Sequence, residues 1–183
     1  LKSSLVTQGR NLCVAEFLNH SDNYDYLLFI DSDIDFEANT IFKMIGADKD
    51  VISCPYPMKM IDTDRMWAKL HQTDLVKTKD DLLRAGYFFP LKLDNKQEII
   101  SDHGVIEVSH APTGCMLIKR EVIEKMIKHY PDFGFCQRWT DMGGKVYIYA
   151  LDYITHVGEH QYCGRFYDQL EALKRVDVDK KIK

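Results

Sequence analysis

Two carboxylates at spacing i, i+2 follow an apolar run in Tyr26-Leu27-Leu28-Phe29-Ile30-Asp31-Ser32-Asp33. Hard divalent ions take oxygen ligands, and two acids on one turn can serve such an ion together with a diphosphate or nearby hydroxyls. The plainer reading is a strand end followed by a helix cap, since Asp is common at both. Asp-x-Asp alone arises by chance in many chains, and the buried strand ahead of it is what strengthens the metal reading. Asp31, Asp33 and Asp35 also resemble the opening of a calcium loop. Phe36 stands where that loop needs Gly and Phe42 where it needs Glu, which excludes it. A phosphatase with an aspartyl nucleophile would want Thr or Val where this chain has Asp35, and it stays a distant alternative.

Further chemistry-bearing residues are scattered along the chain. Thr155-His156-Val157-Gly158, with His160 close behind, offers an imidazole, a better ligand for Mn2+ than for Mg2+. An isolated His is more often a half-buried ring bonded to the backbone; the earlier Asp-x-Asp makes His156 a candidate metal ligand. Gly158 would let the backbone turn tightly there. Arg10-Asn11, beside Gly9 on the first helical segment, could meet a base, a ribose or a carboxylate, or be exposed helical residues. Gly114, at the start of an apolar run, marks either a close approach of backbone or ligand, or a plain turn. Asp132, ahead of a helical segment from Phe135, suits a base or a cation-stabilising group, or a simple N-cap.

These groups need elements to position them. Apolar residues between about Leu5 and Leu18 predict an amphipathic helix. Tyr26 to Ile30 predicts a strand covered on both faces, Glu37 to Ile45 a helix, and Asp50 to Cys54 a strand. That rhythm implies a right-handed crossover and a mainly parallel sheet flanked by helices, with ligands at the carboxyl ends of its strands. Met66 to Leu83 is helix or extended excursion. Tyr87 to Leu93 and Val105 to Val108 read as strands of a small antiparallel part. Thr113 to Ile118 is a strand, Arg120 to His129 and Phe135 to Met142 are helices, Lys145 to Ala150 and Tyr153 to Thr155 are strands, and Tyr167 to Val176 is a helix.

The 183 residues suit one domain with a sizeable core; 45% are apolar and 28% charged, which argues against disorder. A net charge of -4 leaves no basic surplus for nucleic acid. The five cysteines are scattered without a CxxC, as expected for reduced core thiols in a cytoplasmic protein, and no membrane span is visible. Leu1 opens almost directly into a helical pattern, so we expect residues upstream of it.

In their order the segments resemble a glycosyltransferase of the GT-A fold. The matching pieces are Arg10-Asn11, Leu28-Phe29-Ile30-Asp31-Ser32-Asp33, Asp50-Val51-Ile52-Ser53-Cys54 with Tyr56-Pro57, Thr113-Gly114-Cys115-Met116-Leu117-Ile118-Lys119-Arg120, Phe135-Cys136 with Gly143-Gly144-Lys145-Val146, and Thr155-His156-Val157-Gly158. They are most similar to the small glycosyltransferase domains of large algal DNA viruses, which modify capsid glycoproteins in the host cytoplasm. The resemblance implies a single GT-A catalytic domain over residues 1–183 lacking its first strand, Mn2+ (or Mg2+) as cofactor, and a UDP-sugar donor, with glucose as the expected hexose. The acceptor would be a hydroxyl of a glycan or glycoprotein. Asp33 and His156 would bind the metal, and Asp31 the metal or the ribose. Arg10 and Asn11 would orient the nucleotide or the acids, and Gly114 would line the donor-sugar pocket. Relatives carry an acidic pair before the Phe-Cys helix; here Pro131 and Asp132 stand in those places. Asp132 is the one obvious base for inversion, and its incomplete match tilts the expectation towards retention. Two other readings stay open: a sugar-phosphate nucleotidyltransferase, and a non-catalytic carbohydrate-binding module using Trp67 and Trp139 as stacking platforms.

Overall fold

The computed structural model describes residues 6–72, 76–93, 103–129 and 135–170. Its main sheet is built from β1 (Tyr26–Ile30), β3 (Val51–Ser53), β4 (Val105–Val108), β5 (Cys115–Lys119) and β6 (Val146–Tyr149), in the order β1-β5-β3-β6-β4. A three-stranded sheet joins β2 (Ile34–Asp35), β7 (Ile154–Val157) and β8 (Gln161–Gly164), in the order β2-β7-β8. The helices are α1 (Val6–Asn19), α2 (Ala38–Gly46), α3 (Thr63–Gln72), α4 (Lys79–Ala85), α5 (Arg120–His129) and α6 (Phe135–Asp141). A further helical stretch covers 166–170.

The architecture is mixed α/β, but the sheet is not mainly parallel. β5 pairs antiparallel with both β1 and β3, β4 pairs antiparallel with β6, and β3–β6 is the one parallel pairing among the described strands. The crossover from β1 through α2 to β3 does return a strand running the same way. β5 inserts between the two and separates them. β1, β3 and β6 therefore still end at one edge of the sheet, and β5 begins there, which places the segments after Ile30 and Ser53 beside Gly114.

Alternation along β5 shows why this strand is central. Met116 and Ile118 join one core cluster, with Phe17 of α1, Val122, Ile123 and Met126 of α5, and Trp139 of α6. Cys115 and Leu117 face the other, with Met44 of α2, Ile52 and Ile154. Both faces are covered, so the strand reads as an unbroken apolar run. Each fully buried aliphatic side chain contributes about 1.5–3 kcal/mol, well above the ~0–1 kcal/mol of an exposed ion pair. β1 is less covered than expected: Phe29 is buried, whereas Ile30 at its end is exposed.

One other expectation changes, and one open alternative resolves to helix. Tyr87 to Leu93 forms no strand beyond a single bridge, Lys92 to His110. Pro90 lacks a ladder donor, and Tyr87 and Phe89 instead bury their rings in the core. The polar segment from Met66 belongs to α3 and α4, the latter started by a capping box between Thr78 and Asp81. The predicted terminal helix is described only as far as 170, and Asp132 lies outside the described residues.

Arg120 ties α1 to the sheet. Its Nε donates to the Tyr24 carbonyl (2.6 Å), an Nη donates to the Phe17 carbonyl near the end of α1 (3.0 Å), and the guanidinium stacks 4.3 Å from the Phe17 ring. Both bonds are charge-assisted, and the one to Phe17 sits at a helix C-terminus, where a cation is favoured. Arg120→Ala is expected to cost about 2–3 kcal/mol, read as a lower urea midpoint. On α3, burial and the nearby charge of Arg65 push the Lys69 amine down to about 8. The unfolded chain then binds more protons between pH 8 and the ordinary lysine pKa, so this group's contribution to stability rises with pH across that window. Lys69→Met is expected to stabilise the protein by about 1 kcal/mol at pH 7 after allowing for solvent screening, with the gain shrinking by pH 10 in thermal melts.

Candidate functional site

Asp31 to Ile34 is a tight turn after β1, closed by Ile34 N–H donating to the Asp31 carbonyl (3.1 Å). The next residues enter β2, whose register sets Ile34 opposite His156 and Asp35 opposite Thr155 on β7. Val157 N–H extends the pairing by donating to the Asp33 carbonyl at 2.7 Å. Backbone pairing thus brings Asp33 next to His156, although 123 positions separate them.

The two side chains meet. His156 Nε2 lies 3.3 Å from Asp33 Oδ2, and Nδ1 lies 3.0 Å from the Pro57 carbonyl. A carbonyl only accepts, so Nδ1 carries its proton and Nε2 is left facing the carboxylate. On a neutral ring the Nε2 lone pair then faces an acceptor oxygen, an arrangement that a cation shared by the two would relieve. Ligating histidines are typically held this way, through the other ring nitrogen. At 3.3 Å the two atoms are close enough that both could be ligands of one divalent ion.

The same carboxylate oxygen also holds an ammonium. Lys59 Nζ lies 2.6 Å from Asp33 Oδ2. That bond is the main reason the Asp33 carboxyl is held below the usual range, and partial burial opposes it. Asp31 faces elsewhere. Its Oδ1 accepts from Arg10 at 2.9 Å, and its other oxygen lies against Gly114. Each acid therefore has its own basic partner.

Tyr56 links the two halves. Its hydroxyl accepts from Gly114 N–H at 3.2 Å, and its ring packs edge-on against His156 with centroids 5.1 Å apart. The Gly114 carbonyl accepts from Asp31 N–H at 2.8 Å. A Cβ at Gly114 would collide with the Tyr56 hydroxyl and come within 2.8 Å of Asp31 Oδ2. The close approach at Gly114 is thus made by protein groups.

Asp31, Asp33, Arg10, Gly114 and His156 cluster at this edge. Asn11 is exposed on α1 and makes no side-chain hydrogen bond among the described residues. Gly158 does not adopt the left-handed backbone suggested by a tight turn. It instead leaves room for the Lys59 stem, whose Cδ and Cε would lie 3.1 and 3.5 Å from an added Cβ. Trp139 is buried and donates to the Lys145 carbonyl, so it offers no stacking face for a sugar. Among the described residues no three His, Cys, Asp or Glu side chains converge as a metal cage. Asp33 and His156 would give at most two ligands, so an ion there would have to take the rest from phosphates and water. A pocket of 110 Å³ lined by Thr7, Arg10, Phe29, Thr113, Met116, Ile118 and Phe135 lies behind Arg10. It is smaller than the several hundred Å³ usual for a small-molecule site.

Sequence reasoning missed Tyr56 and Lys59 as site residues. The signal was present: Pro55-Tyr56-Pro57-Met58-Lys59 follows the carboxyl end of β3, the same sheet edge as Asp31.

No family model matches the chain, and no curated protein matches it. Among solved structures it is similar to A197 from STIV, a virus protein, at 17% identity and a TM-score of 0.55 over 91% of this chain and 75% of that one. At that identity the likeness concerns the fold alone. No helix among the described residues is long and apolar enough to cross a membrane.

Proposed function

We propose that this chain is a metal-dependent glycosyltransferase domain of the GT-A type, moving a hexose, with glucose as the first candidate, from a UDP-sugar to a hydroxyl of a glycan or glycoprotein. The observation that carries the reading is the meeting of Asp33 and His156, with ring Nε2 turned to a carboxylate oxygen. Bound there, Mn2+ or Mg2+ would hold the donor diphosphate and offset the charge that develops on departing UDP. Asp33 and His156 bind; Pro57 and Tyr56 orient the ring. Arg10 fixes Asp31, leaving one oxygen of that carboxylate for a ribose hydroxyl. Asp132 remains the candidate base for inversion, and retention remains the favoured course.

The direct test is donor turnover. Purified protein is incubated with UDP-glucose, and free UDP is measured with Mn2+, with Mg2+ and after chelation. Release that needs the divalent ion is expected. Release that survives complete chelation, or none from any UDP-sugar together with no UDP binding, would overturn the reading. Pyrophosphate formed from UTP and a sugar phosphate would point to the nucleotidyltransferase alternative instead.

A further inference from the structure

We infer that Lys59 is a resident stand-in for the metal: its ammonium holds Asp33 until a divalent ion takes that carboxylate, and it then turns to the donor diphosphate. This rests on the metal reading of Asp33 and His156, and adds a residue outside both motifs.

Three observations carry it. Lys59 Nζ sits on Asp33 Oδ2, the oxygen that also faces His156 Nε2, so lysine and ion compete for one atom. The stem reaches that atom by crossing Gly158, where any Cβ would press on it. Gly158 therefore serves the path of the lysine, since its own backbone needs no glycine conformation. The charges also balance, with Arg10 on Asp31 and Lys59 on Asp33.

The contact is built to break. Both side chains are more than one-third exposed, and such ion pairs are weak and easily exchanged. A lysine ammonium is a compact charge on a flexible stem, able to follow an anion over several ångströms. A donor diphosphate arriving with its metal offers the displaced ammonium a new partner. Lys59 comes two residues after Pro57, whose carbonyl holds His156, so one short segment both orients the ligand and supplies its competitor.

The test uses the full chain and Lys59→Met, which keeps most of the stem and removes the charge. Free Mn2+ is followed by electron paramagnetic resonance, without nucleotide. Removing one positive charge about 4–5 Å from the ion is expected to tighten Mn2+ binding roughly three- to tenfold. UDP affinity at saturating Mn2+ is expected to weaken by a similar ~three- to tenfold. An ordinary surface ion pair would not move the two constants in opposite directions. Unchanged or weaker Mn2+ binding in the variant overturns the competition, and unchanged UDP affinity overturns the handover to the diphosphate. If neither protein binds Mn2+, with or without UDP, the metal reading fails and this inference fails with it. Melting temperatures alike in both proteins exclude misfolding, as the exposure of Lys59 leads one to expect.

Discussion

Asp33→Asn should abolish most metal-assisted nucleotide binding while leaving the fold intact. The amide keeps the size of the carboxylate but loses its charge and one acceptor oxygen, and a hard cation discriminates strongly against that change. Groups that merely support a metal ligand are worth 10–100-fold, so loss of a ligand should lower UDP affinity in Mn2+ by about 100-fold. The fold should tolerate it, because the bond that joins this turn to β7 uses the backbone carbonyl of Asp33. Calorimetric titration of UDP with Mn2+ reads the effect. Wild-type affinity in the variant would rule Asp33 out as a ligand. The same titration without metal should show little difference between the two proteins.

Gly114→Ala should be nearly as damaging, by another route. The added methyl would land on the Tyr56 hydroxyl and beside Asp31 Oδ2. Neither neighbour can yield cheaply. The Tyr56 ring is packed against His156, and Asp31 is held by Arg10 and by its own backbone bond to Gly114. Overpacking of this kind costs about 1–3 kcal/mol, so a fall of several degrees in melting temperature is expected. Displacing Tyr56 and Asp31 should also weaken UDP binding in Mn2+ by more than about tenfold, since misplacing a site by ~1 Å can cost 100-fold. Gly114→Ala with wild-type stability and wild-type UDP binding would show that the close packing there is dispensable.

The elements that position the site were mostly legible, and the pairing between them was not. Periodicity placed α1, β1, β5 and α5 within a residue or two, because each has an apolar pattern set by what covers it. Strand direction carries no such local mark. β5 reads as a buried run whether its neighbours are parallel or antiparallel, so the insertion of β5 between β1 and β3 was hidden. β8 was missed for a related reason. Its residues Gln161, Tyr162 and Cys163 are half-covered or exposed, and its place comes from pairing with β7. Asp33 and His156 were readable as chemical types. Lys59 was not, since a lone lysine in a loop has no signature until its carboxylate partner is placed beside it. Trp139 shows the reverse case: an aromatic that suggested a stacking platform is a core residue whose indole N–H is satisfied by a backbone carbonyl.

The most direct measurement is a crystal of this protein soaked with Mn2+ and UDP, with the ion located from its anomalous signal. Mn2+ bound within about 2.3 Å of both an Asp33 carboxylate oxygen and His156 Nε2, with diphosphate oxygens completing its shell, is the expected result. Mn2+ bound elsewhere, or UDP bound while His156 and Asp33 share no ion, would contradict it.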